Sequence, residues 1–202
     1  MTRLRKLSAT FVAILLLVGL PAVSYYYLKR GEQHRMMRKV RPFEFRNVWG
    51  GSISEADLSG NVYLAAFLYT RCGLPCDRLA GAQALMQSRF AESPFRCITL
   101  TIDPEHDDLE SLRGYAGKFG ADPARWYFLR GSRREVIDQV LGGFYGKVSN
   151  PGGSLEKMEA DPKLVLVNQA GYIRGYFKVE TPENLAKLEE AVRAALETET
   201  ED

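Results

Sequence analysis

Residues 7–28 form an uncharged and almost wholly apolar run, with Arg3, Arg5 and Lys6 before it and Lys29 and Arg30 after it. Its length suits one crossing of a bilayer, which takes about 20 residues. Tyr25, Tyr26 and Tyr27 fall near its end, where interfacial aromatics collect. The pattern predicts an N-terminal membrane anchor over 1–28. A cleaved signal peptide is the competing reading, with Ala22 and Ser24 as small residues of a cleavage site. Residues 29–42 are polar and basic and read as a tether. A folded domain is expected over 43–196, with an acidic tail over 197–202.

Within the domain the apolar spacing alternates between two periods. Residues 62–69 are nearly all apolar, as expected of a strand covered on both faces. Residues 77–90 carry Leu79, Ala80, Ala84, Leu85 and Phe90 at helical spacing. A second strand, rich in β-branched residues, is predicted over 95–102. A helix over 109–119 follows, with Asp107 or Asp108 as its cap. A short strand is expected over 126–129, a helix over 134–141 and a glycine-rich loop or hairpin over 142–153. Strands over 164–167 and 172–177 are joined at Asn168–Gly171, a hairpin signal. A last amphipathic helix over 182–196 has Pro182 in its first turn, where proline is tolerated. A βαβ unit followed by ββα predicts an α/β protein: a central mixed sheet flanked by helices.

Composition adds little to this picture and charge adds more. With 202 residues, 46% of them hydrophobic, the chain supports one domain with appendages. The net charge of +2 names no partner, but Arg30, Arg35, Arg38, Lys39, Arg41 and Arg46 crowd one stretch. That stretch lacks aromatic interleaving and any reader motif, which argues against nucleic acid. Beside a membrane span it is suited to lipid headgroups, so the membrane is an expected partner. Orientation is contested. Lys29 and the six basic residues just named outnumber the three before the span, which alone would place the domain in the cytoplasm.

The chemistry concentrates at Cys72-Gly73-Leu74-Pro75-Cys76, between the first predicted strand and helix. If the first turn is helical, thiols four apart share a helical face. A helix N-terminus favours thiolate, which is both nucleophile and metal ligand. The pair therefore suits a disulfide, thiol–disulfide exchange or a soft metal such as Cu(I); an inert staple is the plain alternative. Two thiols at a first strand–helix junction also fit the thioredoxin arrangement. Other candidates have simpler readings. Cys97 lies in a predicted strand and reads as a small buried hydrophobe. His34 and His106 read as solvated, with His106 a conceivable metal ligand. Glu105, Asp107 and Asp108 satisfy the charge preference of a helix start. Gly146-Lys147 lacks the following Ser/Thr and the upstream glycine spacing of a phosphate loop.

Three segments carry a family resemblance. Leu68-Tyr69-Thr70-Arg71-Cys72 with Cys76, the run Thr99 to Asp107 through Ile102-Asp103-Pro104-Glu105-His106, and Leu112 to Gly120 resemble the Sco/SenC family. The segment Ala56-Asp57-Leu58-Ser59-Gly60 and the N-terminal anchor fit as well, and the resemblance covers about residues 43–196. It implies a thioredoxin-like fold tethered to a membrane by one N-terminal helix, facing the periplasm or the mitochondrial intermembrane space. On orientation it outweighs the Lys/Arg count. It implies a role in assembling the copper site of cytochrome c oxidase. The copper ligands would be Cys72, Cys76 and a distant histidine. Counted back from the hairpin glycine, Gly171, that histidine position falls at Ala160. No histidine follows His106, so Cys72 and Cys76 are the metal ligands left, with Met158 or Glu159 as substitutes. Pro162 stands where related thioredoxins carry a cis-proline that receives a substrate chain; a trans proline at a strand start is the plain alternative.

The expected function is thiol–disulfide exchange, with Cys72 as nucleophile, Cys76 as the resolving thiol and Pro162 positioning the partner. No cofactor is required for this, though copper is the possible cargo. The expected partner is a cysteine-containing protein, an oxidase subunit or another copper-site assembly protein. A Cu(I) chaperone using the same thiols and a non-catalytic assembly module are the alternatives.

Overall fold

The computed structural model describes residues 38–145 and 162–197. The anchor over 1–28, most of the tether, Met158, Glu159, Ala160 and the tail beyond Glu197 lie outside the described residues. So does the Asp161–Pro162 bond. Among the described residues no helix is long and apolar enough to cross a membrane.

The elements are β1 (Glu44–Asn47), β2 (Ser52–Ser54), β3 (Val62–Leu68), α1 (Leu74–Arg89), β4 (Phe95–Thr101) and α2 (Leu109–Lys118). There follow β5 (Trp126–Arg130), α3 (Arg133–Ile137), a π-helical segment (Asp138–Phe144), β6 (Leu164–Val167), β7 (Ile173–Phe177) and α4 (Pro182–Glu197). They build one seven-stranded sheet in the order β2-β1-β5-β4-β3-β6-β7. Strands β3, β4 and β5 are parallel; β1 lies antiparallel on β5, and β6 and β7 are antiparallel. This is the expected thioredoxin-like α/β arrangement.

The seven buried residues of β3 explain its central place. Alternate side chains of a strand point to opposite faces. Val62, Leu64, Ala66 and Leu68 join one core with Leu79 and Met86 of α1, Leu112 of α2 and Leu188 and Val192 of α4. Tyr63, Ala65 and Phe67 join a second core with Val40, Phe43, Phe45, Val140 and Phe144. The apolar run is thus a strand buried twice, not half of an amphipathic element.

Three features depart from the pattern-based expectation. The β1–β2 hairpin was not expected. Its strands are short and partly polar, and only Phe45 and Asn47 of β1 turn inward. The folded unit also takes in residues 38–42. Val40 donates its N–H to the Gly171 carbonyl and Ile173 donates to the Arg38 carbonyl, so this end of the tether docks on the β6–β7 turn. Finally, the helix expected over 134–141 starts at a Ser132–Glu135 capping box but widens into the π-helical segment, which takes in Gly142 and Gly143. At Gly143 a Cβ would lie 2.5 Å from Gln139 Nε2, which donates to the Arg41 carbonyl at 3.0 Å. A larger residue there would require the Gln139 amide to move.

Candidate functional site

Strand β3 ends at Leu68, and the chain reaches the cysteines through Tyr69, Thr70 and Arg71. Cys72 donates its N–H to the Tyr69 carbonyl, closing a turn. Gly73 is the N-cap of α1, with φ 75° and ψ −145°, a region that side chains beyond hydrogen rarely enter. Leu74, Pro75 and Cys76 are the first three helical residues. Cys72 and Cys76 form a disulfide, with Cα atoms 5.8 Å apart. The two sulfurs therefore do not share a helical face: Cys72 precedes the helix and Cys76 lies in its first turn. Cys76 is buried, at 3% exposure, while Cys72 is partly exposed. The helix start has no side-chain cap, which leaves its partial positive charge beside Cys76 and favours anionic sulfur there.

A Cβ on Gly73 would meet nothing within 4 Å, so its requirement is one of backbone alone. Gly73→Ala is expected to lower the urea stability of the oxidised protein by about 1–3 kcal/mol. An unchanged midpoint would count against strain at this cap.

Beneath the loop sits Asp107, fully buried. It accepts hydrogen bonds from the Thr70 N–H at 3.1 Å, the Thr70 hydroxyl at 2.5 Å and the Thr101 hydroxyl at 2.5 Å. The residue two before Cys72 is thereby fixed to the end of β4. Arg130 braces the other side of the same turn, donating to the carbonyls of Asp107 at 2.9 Å and Pro104 at 2.7 Å. Cap duty for α2 falls to Asp108, which accepts from the Ser111 N–H at 2.7 Å. Of the two cap candidates Asp108 takes the role, and Asp107 is instead buried as an acceptor.

Two surface clusters flank the cysteines. Asp103 accepts from Arg71 at 2.7 Å and contacts His106 Nδ1 at 2.8 Å. Burial pushes the Asp103 carboxyl up, but the hydrogen bonds of His106 and Arg71 and their charges bring it below the usual range. On the other side Asp77, the residue after Cys76, accepts from Lys118 at 2.7 Å and from the Tyr115 hydroxyl at 2.9 Å. The Lys118 bond holds the Asp77 carboxyl low against partial burial, with Tyr115 adding to it. Burial, then the bond to Asp77, pushes the Tyr115 hydroxyl well up. These contacts pin the first turn of α1 to α2.

The other residues singled out in the sequence fall as follows. Pro162 is partly buried and precedes β6. Strand β6 pairs with β3 through Ala65↔Val165, and this register, continued, brings Pro162 level with Leu68 at the cysteine end of the sheet. The side chain of His106 is 57% exposed and engaged by Asp103. Cys97 is a free, fully buried thiol, and burial pushes its ionisation far up. Alkylation of the reduced native protein is expected to modify Cys72 first, Cys76 slowly at 3% exposure, and to spare Cys97 until the chain is unfolded. Peptide mass mapping checks this, and early labelling of Cys97 would contradict its burial.

Sequence reasoning missed Asp107, Thr70, Asp103, Tyr115 and Lys118 as supports of the site. One signal was present: of the adjacent pair Asp107 and Asp108, only one is needed to cap α2.

A match to the SCO1/SenC family spans residues 31–197. The SCO1 protein homolog of Bacillus subtilis (strain 168) is 32% identical over 118 residues, which are 57% of this chain and 61% of that protein. The matched part thus spans under two thirds of that relative. The structure of BsSco, a member of the Sco family of cytochrome c oxidase assembly proteins with a disulfide switch, aligns at TM-score 0.65 and 25% identity. It covers 80% of this chain and 95% of its own. The copper-bound ScoI of Bradyrhizobium japonicum shares the fold at TM-score 0.55 and 18% identity, over 78% of this chain and 98% of its own. With a family match across most of its length and a CxxxC pair at the first parallel strand–helix junction, the chain belongs to the SCO1/SenC family.

Proposed function

We propose that this protein is a membrane-anchored Sco-type thiol–disulfide oxidoreductase facing the periplasm or the intermembrane space. It exchanges disulfides with a cysteine-containing protein of the cytochrome c oxidase copper-site machinery. One observation carries the reading: the Cys72–Cys76 disulfide spans an uncapped helix start, with Cys72 partly exposed and Cys76 buried. In the reduced protein the Cys72 thiolate attacks the target disulfide. A mixed disulfide forms and one target thiolate leaves, taking up a proton. The Cys76 thiolate then attacks the Cys72 sulfur, restoring the Cys72–Cys76 disulfide and releasing the second target thiol. The target gains two electrons and the CxxxC pair loses them. Pro162, at the same end of the sheet, would offer its backbone to the target chain.

Copper fits the donor set less well. Cys72 and Cys76 are soft donors suited to linear Cu(I). The third position, Ala160, carries only a methyl group, and no histidine follows His106. The test is a pair of measurements on the reduced full chain. Exchange predicts stoichiometric reduction of a disulfide peptide in a single turnover. Tight Cu(I) binding at one equivalent, lost in Cys72→Ser and Cys76→Ser, without such exchange, would instead favour copper delivery. Full support of oxidase assembly by the double serine variant would favour a non-catalytic module.

A further inference from the structure

We infer that Leu74 is a specificity-determining contact, selecting target disulfides with an apolar side chain next to the attacked cysteine. The inference rests on the exchange reading above. Among the described residues Leu74 is the most exposed large hydrophobic side chain, at 63%; Tyr172 and Tyr176, the next most exposed, lie just before and within β7. A single exposed leucine is ordinary on a protein surface, but this one is placed by the chemistry. It lies between the two cysteines, in the first turn of α1 and two residues from Cys72. A target sulfur must come within bonding distance, about 2 Å, of the Cys72 sulfur to react. The target residues beside that sulfur are then carried onto the two flanks of Cys72.

Those flanks differ. On one side Arg71 is 59% exposed, but its guanidinium is already paired with Asp103 at 2.7 Å, and Asp103 also holds His106. Its charge is matched within the protein and offers a target little new. On the other side Leu74 presents bare hydrocarbon, whose burial is gained only when a target covers it. The occupant that fits is a disulfide-bridged polypeptide segment with an aliphatic or aromatic neighbour to its cysteine. Among the described residues Leu74 joins neither hydrophobic core.

The test is single-turnover kinetics of the reduced full chain against three disulfides. Two are bridged peptides that differ only in leucine or serine beside the cysteine; the third is 2-hydroxyethyl disulfide, too small to span to Leu74. The wild type is expected to prefer the leucine peptide by roughly five- to thirtyfold, the worth of burying about two thirds of a leucine side chain. Leu74→Ser should erase that preference while leaving the rate with 2-hydroxyethyl disulfide unchanged, and Leu74→Met should retain it. Equal wild-type rates with both peptides overturn the inference while leaving exchange intact. A parallel loss on all three disulfides in Leu74→Ser also overturns it, because the residue then acts on the thiols or the loop. A wild type inert toward every disulfide sinks the exchange reading, and this inference with it.

Discussion

Replacing Cys76 by serine is expected to stop exchange half-way, with the target held on Cys72 as a stable mixed disulfide. In the proposed exchange the second step is an attack by a neighbouring thiol held within one turn of chain. Without it, release depends on a thiol from solution. An oriented intramolecular attack has a large advantage over its bimolecular counterpart, so release should slow by about 10³-fold or more. Replacing Cys72 should abolish capture altogether, because the remaining sulfur is only 3% exposed. Intact mass spectrometry after mixing each variant with a disulfide peptide separates the outcomes. An adduct on Cys72→Ser rather than Cys76→Ser would reverse the two roles. No adduct on either would defeat exchange as the chemistry of this site.

Asp107→Ala is expected to cost about 2–4 kcal/mol of folding stability. The carboxylate is wholly buried and accepts from one backbone N–H and two hydroxyls. The hydroxyls of Thr70 and Thr101 can turn to other acceptors, but the Thr70 N–H is fixed by the backbone. A buried donor left unsatisfied costs about 1–3 kcal/mol, and bonds to a charged acceptor are the stronger kind. Asp107→Asn keeps one acceptor oxygen and brings an NH₂ against donors, so an intermediate loss is expected. Urea unfolding of the three proteins in the oxidised state checks the order. A loss under about 0.5 kcal/mol in Asp107→Ala, typical of a plain surface substitution, would mean that the carboxylate's own burial offsets its bonds. Because Thr70 is two residues from Cys72, the variant should also react faster with small reductants, its loop having lost an anchor.

Much of the architecture was legible because local pattern reports local burial. The apolar run of β3 announced a strand covered twice, and its alternate residues do divide between two cores. Asn168–Gly171 announced the β6–β7 hairpin, and Pro182 the start of α4. The β1–β2 hairpin was not legible, since seven largely polar residues in two short strands carry no distinctive period. Nor was the π-helical segment, whose Gln139 bonds the Arg41 carbonyl far away in the chain. At the site, the thiols were legible by type and spacing. The inward role of Asp107 was not legible, because a carboxylate's burial depends on donors elsewhere, here Thr70 and Thr101.

The sequence by itself determined which groups this protein has to work with. It placed Cys72 and Cys76 at the first strand–helix junction and an alanine where the resemblance expects a copper histidine. Those are facts of residue type and spacing, which no folding can alter. Only the tertiary structure decided how far each sulfur is buried. Cys76 is sealed because Tyr115 and Ala116 of α2 join the core it lies in. Lys118 and Tyr115 clamp the turn that carries it, and Cys72 stays at the surface above Asp107. Exposure is a property of what packs from distant parts of the chain. The same five residues elsewhere would be the same two thiols without this difference in burial.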